Sequence, residues 1–188
     1  MVFQFALAPG VGGDLHARDF LRVGVRGADV FEPSELLDHD MCWAPDGRSI
    51  YMQDLDNLHQ IGLDGAEIKS WKLESLIPKG SFSSASRFAV SPDGRTLLME
   101  VEMDEPITRK DWEGPPPALW TLDLATQKTT RLTPKGLFGM DGCWSGDAEI
   151  IFTSQAAGEK EPSLHRLSLP GNERKQFLKK ACAPSISR

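Results

Sequence analysis

The side chains here that could act as nucleophile, base or metal ligand are three cysteines, four histidines and a scatter of serines and carboxylates. Their spacing speaks against catalysis. Gly142-Cys143-Trp144-Ser145-Gly146 resembles a nucleophile elbow, but G-x-S-x-G would need serine at position 144. There is no P-loop, no G-x-G-x-x-G and no H-E-x-x-H. His39 lies between Asp38 and Asp40, where a cation is one reading and a solvated acidic loop the simpler one. His16 falls in a loop, and His59 and His165 take one repeated position that elsewhere holds Trp120 or Arg22, so they read as packing or half-exposed residues. Cys42, Cys143 and Cys182 have no zinc spacing, and their odd number gives no disulfide framework, so buried free thiols are expected. Neither a metal nor a cofactor is called for.

The carboxylates with a clear pattern are Asp46, Asp93 and Asp147. Trp43-Ala44-Pro45-Asp46-Gly47-Arg48, Val90-Ser91-Pro92-Asp93-Gly94-Arg95 and Trp144-Ser145-Gly146-Asp147-Ala148-Glu149 align without a gap, each between two short apolar runs. Proline presets one turn dihedral, and glycine (Gly47, Gly94) supplies a positive one. Aspartate accepts a nearby backbone N–H. The three aspartates therefore read as turn formers.

These turns sit inside a longer repeat. Leu58 to Gly65, Leu119 to Thr126, Leu164 to Gly171 and Leu21 to Gly27 read as third strands that end in a turn. Charged short strands follow at Ile68 to Leu73, Lys128 to Leu132 and Arg174 to Leu178, a composition that suits an outer edge. One unit is then four antiparallel strands in about 40–60 residues, the signature of a propeller blade. Trp43, Val90 and Trp144 mark the units. Four-stranded units are expected at Asp38–Leu73, Ser86–Leu132 and Asp141–Leu178. The predicted fold is an all-β propeller of about four blade equivalents, in one domain over 1–188. Its units are a partial blade at 1–37, blades at 38–80, 81–136 and 137–180, and the opening of a further one at 181–188. Met1 to Ala8 reads as a second strand and Ala183 to Arg188 as a first strand. Two arrangements stay open: a closed four-bladed ring, or a segment of a larger, for example six-bladed, propeller.

A formal charge of −6 lacks the basic footprint of a nucleic-acid binder. No apolar run approaches the roughly 20 residues of a membrane helix, and the first residues lack the basic and apolar regions of a signal peptide. Open blade edges would allow self-association.

The Trp43–Arg48 and Val90–Arg95 turns resemble the WD40-like repeat of TolB-type six-bladed propellers. Pro184-Ser185-Ile186-Ser187 is similar to the strand that opens such a repeat, and Leu119 to Leu124 to the strand that follows. The resemblance covers nearly the whole chain and implies a partner-binding propeller, periplasmic where the family member is TolB itself. The same repeat occurs in propeller domains of prolyl-oligopeptidase-like serine peptidases, where a separate α/β-hydrolase domain carries the chemistry. Two functions follow. One is a non-enzymatic propeller that binds a protein or peptide partner. The other is the propeller portion of such a peptidase, with the catalytic domain outside this chain.

In a propeller, loops joining strands two and three share a face, opposite the Pro-Asp-Gly turns. The longest such insertion is Met103 to Ala118, with Trp112, Arg109 and Lys110 as expected partner contacts, since tryptophan and arginine are frequent interface anchors. An alternative is that Trp112 folds back to cap its own blade. Asp40, Arg87 and Asp141 align at the start of the first strands and are expected to line a central channel, over a small polar ligand or a water-filled tunnel.

Overall fold

Apolar residues alternate along the central strands, and each sheet therefore has two faces to bury. The clearest case is Thr96–Met103. Leu97, Met99, Val101 and Met103 enter one hydrophobic cluster, while Leu98 enters another. A side-chain period of two puts these sets on opposite faces. A strand covered on both sides belongs in the middle of a stack of sheets.

A computed structural model describes residues 4–5, 23–24, 41–106, 112–156, 158–171 and 173–184. Strands β1 (Gln4–Phe5) and β2 (Val23–Gly24) pair antiparallel. Then come β3 (Met41–Trp43), β4 (Ser49–Gln53), β5 (Asn57–Gly62) and β6 (Glu67–Lys72), an antiparallel sheet in that order. The short helix α1 (Leu73–Leu76) leads to β7 (Gly80–Ser81). The second blade holds β8 (Phe88–Val90), β9 (Thr96–Met103), β10 (Pro117–Asp123) and β11 (Thr129–Arg131). The third holds β12 (Leu137–Trp144), β13 (Glu149–Ala156), β14 (Ser163–Ser168) and β15 (Glu173–Lys179), again in chain order.

The all-β expectation thus holds: the first and third units are four-stranded antiparallel sheets, and the second is an antiparallel sheet of five strands. Two details differ from the sequence reading. The first strand of the second blade comes in two pieces, since β7 and β8 both pair with β9. Between them the chain leaves the sheet towards the first blade, where the Gln53 amide donates to the Ser83 carbonyl at 2.9 Å. Phe82 and Phe88 close this detour edge to face, 5.2 Å apart. The third turn is also shorter. Trp43 pairs with Ile50 and Val90 with Leu97, seven positions on, but Trp144 pairs with Ile150, only six on. The gapless alignment is therefore one residue out beyond that turn.

Two cores lie between the blades. Tyr51, Leu58 and Trp71 of the first blade pack with Leu97, Met99 and Leu122 of the second. Leu98 and Leu119 of the second pack with Trp144, Ile150, Phe152 and Leu167 of the third. Full burial of one such side chain contributes about 1.5–3 kcal/mol. The Trp144 indole also donates to the Ala89 carbonyl at 2.9 Å, a hydrogen bond from one innermost strand to the next. The outer strand β15 is exposed along its length, with Glu173, Arg174, Lys175 and Lys179 on it. Such charge discourages edge-to-edge pairing.

Candidate functional site

The turns show how the repeated aspartates differ. Asp46 Oδ1 accepts the Arg48 N–H at 2.9 Å, and Asp93 Oδ1 accepts the Arg95 N–H at 3.0 Å. Gly47 and Gly94 take the left-handed conformation at φ 66° and 74°. Asp93 Oδ1 also accepts the Ser91 hydroxyl at 2.6 Å, and this bond, ahead of the Arg95 N–H, holds the carboxyl below its usual range. In the shortened third turn the left-handed residue is Gly146, two places after Trp144, whereas Gly47 and Gly94 come four places after Trp43 and Val90. Asp147 makes no corresponding bond among the described residues. It therefore sits in the turn without the bond that Asp46 and Asp93 make.

Arg87 and Asp141 come together. Arg87, just before β8, reaches Asp141 of β12 with Nη1 3.2 Å from Oδ1. Asp141 sits at a bulge in β12, between Met140 and Cys143, with φ at 54°. Its backbone N–H donates to the Glu100 carboxylate at 2.9 Å, and the Glu100 N–H donates to the Arg87 carbonyl at 2.9 Å. Sequence reasoning missed Glu100. Its signal was a charged residue in the middle of a largely apolar strand, on the face that Leu98 turns to the third blade. This trio is engaged in joining blades two and three. Asp40, and His39 beside it, lie outside the described residues.

The long insertion leaves β9 at Met103 and returns at β10. Its first part is fixed by Glu105, which takes the Arg131 guanidinium on both oxygens, with Nη2 to Oε2 at 3.1 Å. Lys135 Nζ is 3.8 Å away, and the Arg131 bond, with Lys135 behind it, outweighs burial and holds the Glu105 carboxyl below its ordinary range. The Arg131 guanidinium also lies 5.9 Å from the Trp120 ring. Trp112 is half-buried. Its Nε1 donates to the Pro115 carbonyl at 3.3 Å, and its ring meets Phe138 edge to face with centroids 5.0 Å apart. Phe138 belongs to β12, so the insertion of the second blade leans on the third. Arg109 and Lys110 lie outside the described residues.

The three cysteines are not joined in a disulfide; Cys42 and Cys143 are half-buried rather than buried, and Cys182 is exposed. Burial, and then the nearby Asp141 carboxylate, push the Cys143 thiol up, which makes it a poor nucleophile. His165 has its ring against Phe152 and is pushed down by burial, ahead of Arg174. His59 lies between two carboxylates, Asp54 and Glu67. Among the described residues no three His, Cys, Asp or Glu side chains are grouped to hold a metal ion. No described helix is long and apolar enough to cross a membrane.

No protein-family model matches this chain, and no curated protein matches it. Solved structures do. The tricorn protease is similar at a TM-score of 0.51 and 12% identity, over 69% of this chain and 13% of that one. TolB from Acinetobacter baumannii gives 0.47 and 19%, over 73% and 31%. The acylaminoacyl peptidase of Pyrococcus horikoshii gives 0.46 and 16%, over 76% and 25%. The chain spans about a third or less of the length of each. With three antiparallel blades stacked through their faces, the likeness defines the class: a β-propeller fold, with TolB and peptidases both among its structural neighbours.

Proposed function

We propose that this chain is a non-enzymatic binding propeller that recognises a protein or peptide partner through the insertion between β9 and β10. The observation that carries the reading is the bracing of Trp112 on Phe138. A tryptophan held in one orientation, still half-exposed and among charged residues, loses little freedom when a partner covers it. The Glu105–Arg131 pair gives its loop a fixed base. Arg109 and Lys110 are proposed to supply the cationic part of the same surface.

The test is a selection of binding peptides from a displayed library, followed by titration of the selected peptides against Trp112→Ala. A loss of about 30-fold, equal to about 2 kcal/mol, is expected of an interface anchor. Unchanged affinity for every selected peptide would remove Trp112 from the interface. The reading as the propeller portion of a serine peptidase is supported by the fold shared with the tricorn protease. It makes a different prediction. The coding sequence beyond Arg188 would then contain a G-x-S-x-G segment followed by Asp and His.

A further inference from the structure

Between the first two blades, at the turn end, lies a cavity of about 460 Å³. That volume falls within the range of small-ligand sites. Asp46 and Asp93 stand on its rim, one from each blade, and Ser49, Tyr51, Gln60 and Val90 are among the residues that line it. Tyr51 is only 4% exposed. Among the described residues its hydroxyl makes no hydrogen bond, and unlike the sealed Trp71 indole it keeps access to solvent where it lines the cavity. Ser49, 3% exposed, accepts the Gln60 amide at 2.9 Å, which leaves its own O–H to donate. Ala44, Pro45, Val90 and Pro92 supply an apolar wall.

The charge in this lining has one sign. Each rim aspartate uses Oδ1 for its turn, and the second oxygen of Asp93 has only a loose contact, 3.9 Å, with the solvent-extended Arg95. We infer that the cavity binds an alkyl cation of side-chain size, an ammonium or guanidinium head on a short apolar stem, such as the end of a lysine or arginine. The head would sit between the Asp46 and Asp93 carboxylates and the stem along the proline and valine wall. The Tyr51 oxygen would accept from the head. This site lies at the other end of β9 from the Trp112 loop and does not depend on it.

Tyr51 is the chain's only tyrosine, so ring-labelled tyrosine gives one NMR reporter inside the cavity. Four probes of one stem length are titrated: n-butylguanidinium, n-butylammonium, n-butanol and butyrate. The two cations are expected to shift the Tyr51 ring signals saturably, and the alcohol and carboxylate are not. If guanidinium and ammonium differ, the tighter one names the side chain. The double variant Asp46→Asn, Asp93→Asn keeps an oxygen for each turn N–H and removes both charges. It should bind the cations roughly tenfold more weakly, each half-exposed ion pair being worth about a factor of three. Equal response to butyrate, absence of saturation with both cations, or unchanged affinity in a folded double variant overturns the assignment. The probe series on the unaltered protein decides the matter even where the variant does not fold.

Discussion

His59 has a carboxylate on each ring nitrogen: Glu67 at 2.7 Å from Nδ1 and Asp54 at 3.0 Å from Nε2. Only the imidazolium donates to both. Burial alone would push its pKa down, but the bonds to Asp54 and Glu67 outweigh it and raise the pKa. For Asp54 burial acts upward, and the bonds from His59 and Asn57 outweigh it and hold the carboxyl low. The signs follow. The raised histidine contributes stability that is complete below its unfolded pKa of about 6.5 and is lost as pH rises through the folded value. The lowered aspartate contributes stability that is complete above its unfolded pKa of about 3.9 and is lost as pH falls through the folded value. The cluster is therefore tightest between about pH 4 and 6.5. His165 works in the opposite sense, since its folded pKa is depressed and it favours the neutral side. The melting temperature of His59→Gln, compared with the parent from pH 5 to 9, isolates the first effect: the difference should shrink as pH rises. A second contrast concerns the turns. Asp93→Ala removes the acceptor of the buried Ser91 hydroxyl and of the Arg95 N–H, and should cost on the order of 1 kcal/mol. Asp147→Ala removes no such bond and should stay within about 0.5 kcal/mol. Urea denaturation midpoints of the two variants check both values.

At the level of strands and turns, alternation and turn residues made most of the architecture legible. Leu97 to Met103 reads as a two-sided strand on the page, and Asp-Gly marks the Asp46 and Asp93 turns without ambiguity. What was not legible were places where one residue more or fewer shifts a strand. The shortened third hairpin keeps serine and aspartate in view and so imitates its longer relatives. The detour between β7 and β8 is set by contacts with the first blade, Gln53 to Ser83 above all, which no local pattern announces. The candidate site was half legible. Repeat alignment placed Arg87 and Asp141 at equivalent positions, but Glu100, which ties them together, lies on another strand. The bulge that aims Asp141 also explains a glycine. A Cβ on Gly142 would stand 2.7 Å from Leu98 Cδ2, and Leu98 is fully buried and cannot easily move. Gly142→Ala is expected to cost about 1–3 kcal/mol through overpacking. Its urea midpoint should fall while the slope of the transition stays the same.

Among the described residues, each core is shared by two neighbouring blades, as in a repeat array. Stability in such arrays is approximately a sum of unit and nearest-neighbour contributions. Phe152→Ala empties a fully buried position in the second core and should cost about 3–5 kcal/mol. Hydrogen exchange should then speed up in β12 to β14 and on the Leu98 and Leu119 face of the second blade, while β5 keeps more of its protection. Uniform loss across all three blades would show a single cooperative unit instead. The tryptophan latch bears on how such an array is assembled. Trp144 donates to a main-chain carbonyl, that of Ala89, and a carbonyl is present whatever side chain the neighbour carries. The contact sets geometry without reading identity. A duplicated blade would arrive with its socket already made, and the array could lengthen or exchange blades by recombination before any side chain at the new junction had adapted.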